Sequence, residues 1–333
     1  MNKVHVAVLM GGMSSEHEVS LVSGHNVAER LDRGAFDVTP VTILRDGRWS
    51  FSDGDPMDVF DAIRELKLRR VDCAFIALHG AYGEDGRIQG MLDMLGIPYT
   101  SSGCAGSGLA MDKLRSKAVA KQAGVPVAAH CTISAEQWRE NPSVVIEQVQ
   151  LELGFPCVIK SPCEGSSVGL AIPREPEAFA GSMNEVLKHG DIAMVEQYIR
   201  GTEVTCAVLD ELPGRRPVAL PVTEICPLAS DFFDYHAKYT AGASEEITPA
   251  RISPGLTQAV QEFAVTAHEA IGCAIWSRSD FIIGPDGPVW LEVNTTPGMT
   301  PTSLYPQAAA AAGISYSELA GRFVMAAIAW KRK

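Results

Sequence analysis

No apolar run in this 333-residue chain approaches the 18 or more consecutive residues of a membrane span. The Ala-rich stretches Gln307–Ala312 and Val324–Ala329 come nearest, and Gly313, Ser315, Glu318 and Arg322 interrupt them. The opening segment is not expected to act as a secretory leader either. The opening MNKVHVAVLMGG meets glycines too soon for a signal core and has no small-residue cleavage site, so it reads as a buried first strand. Basic excess is absent: 28 Lys and Arg against 40 Asp and Glu leave a net charge of −12, which argues against nucleic-acid binding while allowing a local basic pocket. The eight cysteines never show CxxC spacing and sit mostly inside apolar runs, as reduced thiols packed like small hydrophobes do, not disulfides or zinc ligands. Internal repeats and low-complexity tracts are also lacking.

What is present suits a packed globular protein of two or three domains: 46% apolar and 20% charged residues. The first third alternates apolar strands (HVAVLM, FDVTPVTIL, VDCAFIALHG) with amphipathic helices (SSEHEVSLVSGHNVAERL, DVFDAIRELKL, RIQGMLDMLG). That alternation predicts a parallel sheet covered on both faces, with ligands at the carboxyl ends of its strands. The loops GGMSSE and HGAYGEDG fall at those ends. A helix over 103–123 follows. Next come VPVAAHCTI, a helix over 135–153, FPCVIK, a glycine-rich turn, SVGLAIP, a helix over 175–188 and IAMVEQYI, which together read as a small α+β domain. The last third reads as strand EVTCAVLD, an irregular stretch over 227–250, a helix over 253–271, a hairpin over 274–294 and two closing helices.

The sharpest chemical signal is WSRSDFIIGPDGPVWLEVN. A turn centred near Asp286 sets Asp280 opposite Glu292 and Arg278 opposite Asn294. Two carboxylates and an amide then share one strand face beside a guanidinium. An all-oxygen donor set of this kind suits Mg²⁺ bound together with nucleotide phosphates. The competing reading is a solvent-facing edge with salt bridges. NTTPGMTPTSLYP follows at once, where Gly298 permits close backbone approach. Ser303, with the amides of Ser303 and Leu304, opens a helix able to attract a carboxylate. In KSPCEGSSVG, Lys160 and a Gly-Ser-Ser turn could cradle phosphate, although the segment is no Walker A loop. From the residues alone, Lys113 reads as a solvated helix charge and Glu196 and Glu203 as surface glutamates. The alternative for that last stretch is a purine seat with Glu203 on the ribose.

These segments converge. GGMSSEHEVSLVSG, HGAYGEDGRIQG, MDKLRSK, EGSSVG, FDYHAKY, SRSDF and LEVNTTPGMTPTSLYP stand in the order, and at the spacings, of the D-alanine–D-alanine ligases. The chain resembles that family over nearly its whole length. The resemblance implies an ATP-grasp fold: an N-terminal Rossmann-like substrate domain (1–110), a central domain (111–200) and a C-terminal domain (201–333), the last two enclosing ATP. It implies nucleotide contacts at Lys113, Lys160, Ser167, Glu196, Ile199, Glu203 and Lys238, and Mg²⁺, with Mn²⁺ as substitute, on Asp280, Glu292 and Asn294. Glu16 would meet the first D-alanine's ammonium, with Ser166 and Tyr239 closing the site and His79 among the substrate contacts. Arg278 and Gly298 would stabilise the oxyanion, and Ser303 with Leu304 would hold the second carboxylate. A cytoplasmic homodimer acting on D-alanine and ATP, with neither nucleic acid nor membrane as partner, is implied too.

The chain departs from the family pattern at Ser161, Cys163, His236 and Ser279. None is a proposed ligand; Ser161 and Cys163 bear on the phosphate loop and His236 on the 227–250 stretch, read as a lid over the site. The resemblance also admits D-lactate or D-serine as acceptor, though Lys238-Tyr239 stands where lactate-using members tend to place histidine. A non-catalytic nucleotide-binding homologue would be expected to lose metal ligands or Arg278, and none is missing. A dinucleotide oxidoreductase lacks its GxGxxG.

Overall fold

The computed structural model describes residues 3–52, 54–163, 165, 169–227 and 244–330. The N-terminal part runs β1 (Val4–Gly11), α1 (His17–Arg30), β2 (Phe36–Ile43), β3 (Trp49–Phe51), α2 (Val59–Leu68), β4 (Cys73–Ile76) and α3 (Arg87–Leu95). Its sheet has the order β3-β2-β1-β4, with β1 parallel to both β2 and β4. The unbroken apolar run of β1 is explained by this central position: Val6 to Met10 are wholly buried. The short antiparallel β3 was not anticipated. It forms because the Asp46-Gly47 turn folds the chain back, Leu44 N–H donating to Arg48 O at 2.8 Å.

The expected helix over 103–123 is two helices, α4 (Cys104–Met111) and α5 (Lys113–Gln122). Asp112 between them is extended, and its carboxylate caps α5 by accepting from Arg115 N–H. The central part adds β5 (His130–Ser134), α6 (Ala135–Glu140), α7 (Pro142–Glu152), β6 (Cys157–Lys160), β7 (Leu170–Ala171), α8 (Pro176–Val186) and β8 (Ile192–Gln197). Its antiparallel sheet has the order β5-β8-β6-β7. The helix expected over 135–153 breaks at Asn141 because Pro142 cannot continue a helix but starts one well.

The last part contains β9 (Thr202–Asp210), β10 (Val218–Ala219), β11 (Thr223–Pro227), β12 (Ser244–Ile247), α9 (Pro254–Ile271), β13 (Ile275–Gly284), β14 (Gly287–Asn294), α10 (Leu304–Ala311) and α11 (Tyr316–Ala329). Its sheet runs β12-β11-β9-β13-β14, with β10 on β9. The stretch expected to be irregular over 227–250 therefore contains strand β12, paired with β11 through Ile225 and Glu246.

Alternation along β9 divides the molecule. Val204, Cys206 and Val208 face a core shared with α9 and α5, whereas Ala207 and Leu209 face the core shared with the N-terminal sheet and α11. In that second core Trp276 stacks on Phe323 at 4.4 Å, and its indole N–H donates to Thr100 O at 2.7 Å. Each large apolar side chain buried there contributes on the order of 1.5–3 kcal/mol. This core joins the third sheet to one face of the first. All eight cysteines are free thiols, and Cys73, Cys157, Cys206 and Cys273 are buried. Among the described residues no helix is long and apolar enough to cross a membrane.

Candidate active site

A cavity of about 600 Å³ opens between the N-terminal sheet and the third sheet. Its wall brings together Glu16, His79, Lys113, Arg278, Glu292, Asn294, Gly298, Ser303 and Leu304 from segments far apart in the chain. The loops after β1 and β4 supply Glu16 and His79, as a parallel sheet's carboxyl ends should. Gly80 sits at φ +68°, a conformation that favours glycine, and a Cβ there would lie 2.6 Å from Glu16 Oε2.

The hairpin delivers the expected facing pairs by an unexpected route. Gly284 pairs with Gly287, so the turn centres between Pro285 and Asp286, and continued pairing would set Asp280 opposite Leu291. A bulge on β14 inserts Leu291 as an extra residue, and beyond it Asp280 faces Glu292 and Arg278 faces Asn294. Ser279 points to the other face, where Trp290 Nε1 donates to its hydroxyl at 3.1 Å.

On the polar face, Arg278 Nε and Nη2 donate to both Asp280 oxygens at 2.9 and 2.8 Å, and Thr205 donates to Oδ1 at 2.6 Å. Lys113 Nζ lies 3.1 Å from Glu292. Burial opposes the Lys113 charge, but Glu292 overcomes it and raises the lysine above its ordinary range. Lys113 is therefore no solvated helix charge. Asp280, Glu292 and Asn294 form an oxygen-only set suited to a hard cation. Among the described residues no three His, Cys, Asp or Glu gather as a metal group, so a cation here depends on the Asn294 carboxamide.

Apart from Lys113, the described nucleotide candidates form a second group outside this wall. Lys160 on β6 and Lys117 on α5 both pair with Glu196 on β8, the latter at 2.8 Å. Burial raises the Glu196 carboxyl, yet Lys160 and then Lys117 hold it down to about 2. Glu196 is buried, contrary to its reading as a surface glutamate, because two lysines neutralise it. Ile199 and Glu203 lie where the chain crosses from β8 to β9, with Glu203 opposite Ile282 and Ile225. Ser166, Ser167, His236, Lys238 and Tyr239 lie outside the described residues.

Ser303 lines the cavity from within a tight turn. Its amide donates to Thr300 O at 3.0 Å, and its hydroxyl accepts from Thr300 N–H at 2.9 Å. That tight turn positions Ser303 as the residue before α10, whose first turn carries no side-chain cap. Gly298 belongs to the same turn, since a Cβ there would meet Ser303 Oγ at 2.7 Å.

Comparison with known proteins fits this layout. The model of the D-ala D-ala ligase N-terminus matches residues 5–67 and 56–102, and that of the D-ala D-ala ligase C-terminus matches 119–325. The chain belongs to the D-alanine–D-alanine ligase family. It is 46% identical over 327 residues to a D-alanine–D-alanine ligase of Agrobacterium fabrum, covering 96% of both chains. It is 42% identical to that of Pelotomaculum thermopropionicum over 96% of this chain and 95% of the relative. Among solved structures, the Bacillus anthracis D-alanine–D-alanine ligase complexed with ATP has a TM-score of 0.79 at 32% identity, covering 98% of both chains. The VanG D-Ala:D-Ser ligase of Enterococcus faecalis has a TM-score of 0.81 at 31% identity, covering 98% of this chain and all of that one. The ATP-grasp architecture expected from the motifs is the architecture of the fold.

Two residues at this family site escaped the sequence reading, Glu84 and Lys117. Lys117 stands one helical turn beyond Lys113 in MDKLRSK, a spacing that puts both on one face. Glu84 lies within HGAYGEDG, where nothing local marks it.

Proposed function

We propose that the enzyme joins two D-alanines at the expense of ATP, giving D-alanyl-D-alanine, ADP and phosphate for peptidoglycan precursor synthesis. The observation carrying this reading is the single cavity wall that sets Glu16 and His79 beside Arg278, Gly298 and the start of α10. Three parts share the work: 1–110 presents the first amino acid, while 111–200 and 201–333 hold the nucleotide.

Glu16 receives the donor's ammonium. An oxygen of the donor carboxylate attacks the γ-phosphorus, the bond from phosphorus to the ADP oxygen breaks, and D-alanyl phosphate forms. Lys113 and Lys160 neutralise the phosphates, Glu196, Ile199 and Glu203 seat the adenosine, and Ser167 and Lys238 complete the nucleotide contacts. A Mg²⁺ or Mn²⁺ ion on Asp280, Glu292 and Asn294 would supply further charge neutralisation. The neutral amine of the second D-alanine, its carboxylate at Ser303 and Leu304, then attacks the acyl carbon. Arg278 and the Gly298 amide stabilise the oxyanion, phosphate leaves and the amine loses its proton. Ser166 and Tyr239 close the site around Glu16, excluding water that would hydrolyse the acyl phosphate.

The same reading places the enzyme in the cytoplasm as a homodimer, which light scattering tests. The reaction is tested by incubating the protein with ATP, Mg²⁺ and D-alanine, alone or with D-serine or D-lactate, and measuring phosphate release and product mass. A depsipeptide or a D-alanyl-D-serine product would reassign the acceptor; no nucleotide turnover with any acid would overturn the reading.

A further inference from the structure

Glu84 accepts two backbone N–H groups that belong to different parts of the molecule. Its Oε2 takes Gly80 N–H at 2.8 Å, closing its own loop after β4, and its Oε1 takes Thr296 N–H at 3.1 Å, in the segment between β14 and α10. Around this bond the segment is pinned by three further contacts. His79 Nδ1 meets Thr296 O at 3.0 Å, Ser101 meets Thr296 Oγ1 at 3.2 Å, and Met299 N–H donates to Ser23 at 3.3 Å. Gly298 lies inside the pinned stretch.

Glu84 also lines the cavity with Glu16. The charged groups acting on it are Glu16 at the head of α1 and Arg278 on β13, and the titratable His79 after β4 lines the same cavity. Burial first, then the Glu16 carboxylate, push Glu84 up to about 8, against the two N–H donors and the Arg278 guanidinium. His79 is lowered by its burial; as a neutral ring it donates from Nδ1 to Thr296 O and accepts from the Ser23 hydroxyl at 3.0 Å.

We propose that Glu84 is a positioning residue of the ligation: it fixes the Thr296–Gly298 backbone that aims the oxyanion amide, and with Glu16 it completes an anionic seat for the donor's ammonium. This rests on the D-alanine ligation reading above. An ammonium entering between the two carboxylates favours the ionised form of Glu84, so donor binding releases a proton near neutral pH and strengthens as pH rises toward 8.

Glu84→Gln keeps the shape, removes the charge and turns an amide NH₂ toward one of the two N–H donors. The expected result is a D-alanine KM raised by about tenfold, a lower kcat, a flatter pH profile of kcat/KM and an ATP KM within about twofold of the parent. In the unaltered enzyme, calorimetry of D-alanine binding with a non-hydrolysable ATP analogue, in buffers of different ionisation enthalpy, should read proton release at neutral pH. Parent-like kinetics of the variant at every pH would overturn the proposal. If the variant does not fold, absence of proton release in the unaltered enzyme overturns it instead. Failure of the unaltered enzyme to make D-alanyl-D-alanine would sink the ligation reading itself, a distinguishable outcome.

Discussion

Lys117 holds Glu196 at 2.8 Å with its own side chain wholly out of water, and it also donates to Trp290 O at 3.2 Å. A helix, the central sheet and the β13–β14 hairpin thus meet at one ammonium. Breaking a buried ion pair by removing one partner costs about 3–5 kcal/mol, and because Lys160 also faces Glu196 the loss for Lys117→Met should be about 2–3 kcal/mol. Urea unfolding measures this, and a Lys117→Arg variant should recover part of it. A midpoint unchanged in Lys117→Met would show that the pair contributes nothing.

Acid should expose the same carboxylate. Glu196 is held at about 2 against an ordinary 4.5, so its contribution is fully present above pH 4.5 and is lost as pH falls through 2. The gap corresponds to about 3 kcal/mol at neutral pH. Glu196→Gln should therefore be less stable than the parent at pH 6, with the difference shrinking steadily toward pH 2. Thermal unfolding across that range is the measurement, and a difference independent of pH counts against the assignment.

Glu292→Gln should lose turnover by about a hundredfold or more at low millimolar Mg²⁺ while keeping its fold, because the substitution removes one of two carboxylates from the proposed cation set. It also removes the negative charge that lies 3.1 Å from Lys113. Phosphate release against Mg²⁺ concentration, beside a circular dichroism spectrum, separates the two effects. Near-parent activity would dismiss the site.

Acceptor choice follows from the charge of the nucleophile. An amine attacks only when neutral, whereas the hydroxyl of lactate is uncharged throughout. D-Alanine should be preferred over D-lactate across about pH 7–9, with acceptor turnover falling as the pH drops and ammonium accumulates. L-Alanine should be inert as acceptor. Equimolar competition with products separated by mass decides the matter; a depsipeptide as main product at neutral pH would refute the amine preference.

Much of the site was legible because its chemistry is local. The alternation of HVAVLM, FDVTPVTIL and VDCAFIALHG predicted the parallel sheet and the two loops at its carboxyl ends. Strand periodicity put Arg278, Asp280, Glu292 and Asn294 on one face without any knowledge of neighbours. The pairing of Asp280 with Glu292 was nevertheless reached from a turn placed half a residue away. The Leu291 bulge supplied the difference, and a bulge leaves no mark in hydropathy.

Residue order alone determined the strands, the carboxylate face, the glycine-bearing loops and, through seven motifs in register, the family. Only the tertiary structure decided which charges are buried. Lys113 and Glu196 look like solvated helix and strand charges in the sequence, because desolvation and its compensation depend on partners from other elements. It also decided that the Ser303 amide is spent on Thr300, and that Glu84 crosses from one part of the molecule to bind Thr296 in another. A hydrogen bond between residues 212 positions apart in sequence has no local signature; it exists only once two sheets have packed.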